Sequence, residues 1–240
     1  MRSVTPFTQV YYPESDGKPM GETDDHRDQM VRHIDLLRYF YRDQQVYVSG
    51  DLLVYYEQGN PRKFVVPDAF VVKGVPAGKR RIYKIWVEGK SPEVVIETTS
   101  RKTRRKDTQE KPTLYARLGV KEYFVYDPLQ EYLDPPLQGH RLTDQGYVGI
   151  VPDESGALVS EQLGLQLRIE RGLLQFYRLD TGERLLTADE RAACEAEARQ
   201  REAEARQREA EARQQEAEAR KAAEAEVVRL RAELARRSQA

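Results

Sequence analysis

Two acids stand inside apolar runs. Asp68 lies in Val65-Val66-Pro67-Asp68-Ala69-Phe70-Val71-Val72, and Glu97 in Val94-Val95-Ile96-Glu97-Thr98. Runs this rich in β-branched and aromatic residues read as buried strands. A carboxylate buried in such a strand is costly unless something pairs with it. Two on neighbouring strands would repel each other unless they share a cation. Oxygen donors suit a hard divalent ion, Mg²⁺ or Mn²⁺, and such an ion beside carboxylates serves to cut or transfer phosphates. The acids are 29 positions apart. Adjacent antiparallel strands would place both at one end of a sheet, where the Thr98 carbonyl could supply a third oxygen. The bland reading of Asp68 is a turn cap after Pro67.

The residues after Glu97 are strongly basic: Ser100-Arg101-Lys102-Thr103-Arg104-Arg105-Lys106. Arg101, Lys102, Arg104 and Arg105 either contact nucleic-acid phosphates or form an ordinary solvated charge run. They lead into a helix whose N-terminus favours anions. Asp107, Lys111 and Tyr115 follow at i, i+4 and i+8, which aligns them on one helical face. Lys111 on that face could orient an attacking water or neutralise a developing phosphoryl charge; its bland reading is a salt bridge to Asp107. Asp107 is expected to orient Lys111 or cap the helix, and Tyr115 to support the face. Pro112 directly follows Lys111, so the lysine sits at a helix start or a kink.

The elements that must position these groups can be read around them. Residues 1–23 are rich in Pro, Gly, Ser and Asp and read as an arm. A helix capped by Asp24 or Asp25 runs to about Tyr41, with Met30, Ile34, Leu37 and Tyr41 on one stripe. Strands are expected at 46–48, 52–56, 64–73, 93–99 and 122–126. Residues 74–92 form a basic, aromatic, hairpin-like insertion carrying Arg80, Arg81, Tyr83, Lys84 and Trp86. A helix within 104–118 ends at Gly119, and its place between two strands predicts a parallel crossover. Residues 130–187 read as a small β appendage.

From residue 188 the composition changes. Units such as Glu195 to Arg201 and Glu202 to Arg208 repeat every seven residues, a coiled-coil period. The alanines do not form one apolar seam, however, and only Val227, Leu230 and Leu234 make a patch. Glu195–Arg199, Glu197–Arg201, Glu202–Arg206 and Glu204–Arg208 have the favourable i,i+4 order, each worth about 0.3 kcal/mol. A solvated single helix and a weak self-associating coil both remain open.

Pro67-Asp68, Glu97-x-x-Ser100, Asp107-x-x-x-Lys111-x-x-x-Tyr115 and Gly119-Val120-x-Glu122-Tyr123 together resemble the restriction-endonuclease-like family of the PD-(D/E)XK nuclease superfamily. The resemblance covers about residues 20–187. It implies an α/β fold with a restriction-endonuclease-like mixed sheet core flanked by helices. It also implies metal-dependent cleavage of DNA phosphodiesters, with Asp68 and Glu97 as metal ligands. The wider superfamily pattern places lysine where this chain has Thr99, and the resemblance assigns that role to Lys111. Cutting both strands would call for a homodimer. Two rival expectations are a nucleic-acid-binding module that lacks the reaction and a scaffold acting through its helical tail.

Bulk properties narrow the rest. The formal net charge is −1, and the tail holds 13 acids and 12 bases. A polyanion site must therefore come from local clustering. Cys194 is the only cysteine, which excludes an intrachain disulfide. No apolar run approaches the ~20 residues that span a bilayer, so no membrane partner and a cytoplasmic location are expected.

Overall fold

The computed structural model describes residues 10–17 and 23–237, with side chains to residue 232. They divide between Thr187 and Ala188 into two compact units. In chain order the first unit holds helix α1 (Asp24–Phe40) and strands β1 (Val46–Ser49), β2 (Val54–Tyr55), β3 (Phe64–Val65), β4 (Ala69–Lys73) and β5 (Tyr83–Lys84). A short helix α2 (Ile85–Glu88), strand β6 (Val94–Thr98), a π-helical turn (Lys106–Glu110), helix α3 (Lys111–Arg117) and strand β7 (Glu122–Tyr126) follow. Strands β8 (Leu137–Thr143), β9 (Gly146–Gly149), β10 (Leu158–Ser160), β11 (Leu165–Glu170) and β12 (Leu173–Arg178) complete it.

The central sheet has six strands in the order β1-β4-β6-β7-β8-β9. β4 pairs antiparallel with β6, Ala69 opposite Ile96. β6 pairs parallel with β7, Glu97 opposite Val125, as the intervening helix requires. Alternation along each strand fills both faces. Val48, Val71, Ile96 and Phe124 pack with Ile34 and Leu37 of α1. Tyr47, Phe70, Val95 and Tyr123 pack with Tyr115 of α3 on the other face. Glu97 alternates with Val95 and so belongs to the α3 face.

Four expectations are corrected. The N-cap of α1 is Thr23, not Asp24 or Asp25; its hydroxyl accepts from the His26 N–H at 3.2 Å. The two acids occupy the first turn, where the helix dipole favours them. The predicted strand 64–73 is broken at residues 66–68 into β3 and β4, consistent with a proline in the run. The 74–92 insertion is no hairpin: β5 pairs parallel with β2 in a small sheet β3-β2-β5. Tyr83 draws it there, because its fully buried ring packs 5.8 Å from Tyr47 and 5.7 Å from Phe70. Trp86 sits 5.3 Å from Tyr12.

Lastly, residues 130–187 are not all appendage. β8 and β9 extend the central sheet, and only β10–β12 form a separate one. The buried Asp127 carboxylate accepts N–H groups of Leu129, Tyr132 and Leu133 at 3.1, 2.6 and 3.0 Å. That closed loop returns the chain onto β7. Strand periodicity does not encode which partner a strand will take.

Of the expected N-terminal arm, residues 1–9 and 18–22 lie outside the described residues, as does the Leu234 side chain of the tail patch. The second unit is helix α4 (Ala188–Arg237), 50 residues long. Its described side chains are exposed apart from those of the first turns, and its acid–base pairs run along the axis, Glu202–Arg206 and Glu209–Arg213 both at 2.6 Å. No helix among the described residues is long and apolar enough to cross a membrane.

Candidate active site

Asp68 occupies the bend that opens β4, at the end of the sheet where β6 finishes. The chain at Gly50 crosses so closely that a Cβ there would lie 1.8 Å from the Asp68 carbonyl oxygen; only glycine permits that approach. The Asp68 N–H donates to Glu97 Oε2 at 3.3 Å, and Asp68 Oδ2 accepts the Thr98 N–H at 2.7 Å. Each acid is thus anchored to the strand that carries the other.

The segment after β6 brings a lysine onto this pair. Lys111 Nζ lies 2.8 Å from Glu97 Oε2 and 2.9 Å from Asp107 Oδ1. Tyr115 donates its hydroxyl to Glu97 Oε1 at 2.8 Å. Thr99 donates to Asp107 Oδ2 at 3.0 Å, and the Tyr123 hydroxyl holds the Asp107 carbonyl at 2.7 Å. The π turn makes the reach possible. The Lys111 N–H bonds the Lys106 carbonyl, five residues back. A plain α-helix would press the Pro112 ring on a carbonyl four residues earlier, and the widened turn relieves this.

All five predicted carboxylate, lysine and tyrosine positions therefore meet in one cluster, with Thr98 fully buried beside them. Arg101, Lys102, Arg104 and Arg105 stand apart from it. They are exposed on the turn and first helical residues after β6, and none forms an ion pair among the described residues.

The family described as "Uma2: Putative restriction endonuclease" matches residues 10–175. The chain belongs to this family. It is similar in structure to "a putative nuclease belonging to DUF820 from Anabaena variabilis ATCC 29413", at 13% identity and a TM-score of 0.46, covering 64% of this chain and 86% of that one. No curated protein matches it.

In this member of the Uma2 family the cluster gathers acids around one lysine. Glu97 and Asp107 both contact the Lys111 ammonium, and Asp68 contacts His26. Burial drives the Glu97 carboxyl up to about 8; Lys111 pulls it down, while Asp68 and Asp107 add to the rise. Asp68 goes the other way. Burial would raise it, but the His26 hydrogen bond, the Lys111 and His26 charges and the Thr98 N–H hold it below its ordinary value. Lys111 loses hydration by burial, yet Glu97, Asp107 and Asp68 push its pKa up, so it stays a cation. Glu97 is closed to solvent, whereas the side chains of Asp68 and Lys111 are 18% and 19% exposed. A ligand must therefore enter on the Asp68–Lys111 side.

The donor set fits a hard divalent ion: the Asp68 and Glu97 carboxyl oxygens lie side by side next to the Thr98 backbone, and an ion bound there would favour the ionised form of Glu97. Among the described residues no group of three or more His, Cys, Asp or Glu side chains is arranged as a metal site, so protein ligation would draw on the two carboxylates and a backbone carbonyl.

Two neighbours of the cluster escape a reading by motif. His26 Nε2 lies 3.3 Å from Asp68 Oδ2, reaching it from the first turns of α1. Its signal was its place one turn ahead of Met30 on the stripe that faces the sheet. Thr99, which departs from the superfamily pattern, serves as the hydroxyl that orients Asp107.

Proposed function

We propose that the protein is a divalent-metal-dependent DNA endonuclease that hydrolyses phosphodiester bonds. Asp68, Glu97 and the Thr98 carbonyl would hold Mg²⁺ or Mn²⁺. The observation that carries this reading is the interlocked Asp68–Glu97 carboxyl pair, set at the end of the sheet where β6 finishes and backed by Lys111 and Asp107. The chemistry supplied at that position by such an ion is activation of water and polarisation of a phosphoryl oxygen.

The chain's own groups divide the remaining work. Lys111, held protonated between Glu97 and Asp107, donates hydrogen bonds and stabilises negative charge developing on the phosphate. Asp107 and Tyr115 fix the lysine and Glu97 in place, and His26 and the Thr98 N–H orient Asp68. Arg101, Lys102, Arg104 and Arg105 contact flanking phosphates. A two-fold homodimer would present two such sites to the two strands.

The test is conversion of supercoiled plasmid to nicked or linear DNA in Mg²⁺ or Mn²⁺. Asp68→Ala and Glu97→Ala should each slow it about a thousandfold or more, the equivalent of about 4 kcal/mol. Cleavage persisting at full rate in both variants would remove the nuclease assignment from this site. Metal-independent binding without cleavage by the native chain would favour the non-catalytic module.

A further inference from the structure

A second site lies along the free edge of the central sheet. Among the described residues β1 is an edge strand, paired only with β4. Beside it a cleft of about 480 Å³ is enclosed by the C-terminal end of α1 and the loop at 77–80. Four of its lining residues are cationic, Arg38, Arg42, Lys79 and Arg80, and no Asp or Glu lines it. In a chain whose formal net charge is −1, that is a strong local excess.

The four cations are not equally available. Arg42 has Asp43 at 3.3 Å, and Arg80 has Glu88 at 2.7 Å while its guanidinium lies 4.0 Å over the Tyr47 ring. Arg38 spends one N–H on a neutral acceptor, the Val48 carbonyl at 3.0 Å. Neither Arg38 nor Lys79 has an ion-pair partner among the described residues, and both are exposed. Their charge is left for an anion from solution.

One end of the cleft also lies near the carboxylate cluster. Its near end is Ser49, which pairs with Phe70, two residues beyond Asp68; at ~3.4 Å per residue that end is on the order of 10 Å from Asp68. Its far end follows α1, whose His26 touches Asp68 and whose Arg38 comes 12 residues later, about 18 Å along the axis at 1.5 Å per residue. Such a span matches roughly three to five nucleotides of duplex at 3.4 Å each.

We propose that this cleft binds the phosphodiester backbone of the nucleic-acid substrate a few nucleotides from the bond that is cut, with Arg38 and Lys79 as its principal phosphate contacts. It rests on the nuclease reading and adds a second anchor, on the opposite side of Asp68 from the basic run at 101–105. The site gives no base readout. Arg38 and Lys79 neutralise phosphates, and the Tyr47–Arg80 stack forms a stiff wall.

The test is fluorescence anisotropy of the full-length protein with a labelled DNA duplex across a salt series, without metal. Substituting both Arg38→Gln and Lys79→Gln should weaken binding roughly tenfold or more and flatten the log Kd against log salt slope by about 2, near 0.9 for each lost contact. Lys79→Gln alone, on an exposed side chain that supports no other group, should flatten it by about 1 without disturbing the fold. Asp68→Ala should abolish cutting and leave the slope in place. An unchanged slope in the double variant would overturn the proposal, as would equally tight binding of a mononucleotide lost in the same variant. A native chain that binds with the predicted slopes yet never cuts would defeat the nuclease reading and leave the cleft standing.

Discussion

The carboxylate–lysine cluster and helix α4 are built from the same chemistry and behave in opposite ways. Both pair acids with bases at i,i+4: Asp107–Lys111 at 2.9 Å in the cluster, and Glu202–Arg206 at 2.6 Å on the helix. The difference is water. Asp107 is 1% exposed, and Lys111 must also answer to the fully buried Glu97. The helix pair is more than 60% exposed on both sides. In the cluster removal of one charge strands the others in a poor solvent; on the helix solvent replaces the lost partner. Distance alone does not rank the two, and burial does.

Substitution at the two places should therefore give effects of different size. Lys111→Ala leaves Glu97 and Asp107 facing each other, and should cost about 3 kcal/mol at neutral pH, read as a lower denaturation midpoint. Millimolar Mg²⁺ should restore part of that loss, since the ion supplies the missing positive charge. A midpoint unmoved by the substitution would mean that the cluster is not electrically strained.

A buried histidine in the same unit gives a middle case. His33 is fully buried, neither ring nitrogen has a hydrogen-bond partner among the described residues, and its ring lies 5.8 Å from Tyr126 and 5.7 Å from Phe176. Burial, with the nearby Arg32 charge, lowers its pKa to about 3. The unfolded chain takes up the proton first as pH falls below about 6.5, so stability is intact above that value and drains away toward pH 3. Between pH 7 and pH 5 the loss from this residue should be about 2 kcal/mol. His33→Phe should flatten that acid arm, measured as urea midpoints across pH; an arm of unchanged steepness would show that His33 is not its source.

The smallest effect belongs to the helix. Arg206→Ala should change stability by about 0.3 kcal/mol, within the range of a single exposed pair. Removing 188–240 should leave the melting temperature of the first unit in place. A large drop on truncation would contradict the independence of the two units.

Much of this was legible in the sequence because the informative residues violate local rules. Asp68 and Glu97 stand out as acids in apolar strands, and Asp107, Lys111 and Tyr115 by their helical spacing. The π turn was half visible, since Pro112 announces a break but not that the helix would absorb it by widening. His26 was obscured, because a histidine 42 positions before Asp68 reveals its role only through tertiary contact. The parallel pairing of β5 with β2 and the docking of β8 on β7 were hidden for the same reason. Periodicity reports which face a strand buries, while its neighbour is chosen by the turns and anchors around it.

The most direct test is a crystal of the full chain soaked in Mn²⁺ and measured for anomalous scattering. The account predicts a peak within ligand distance of both Asp68 and Glu97 carboxylates, lost in Glu97→Gln. Lys111 remaining bonded to Glu97, with no peak beside either acid at saturating Mn²⁺, would contradict it.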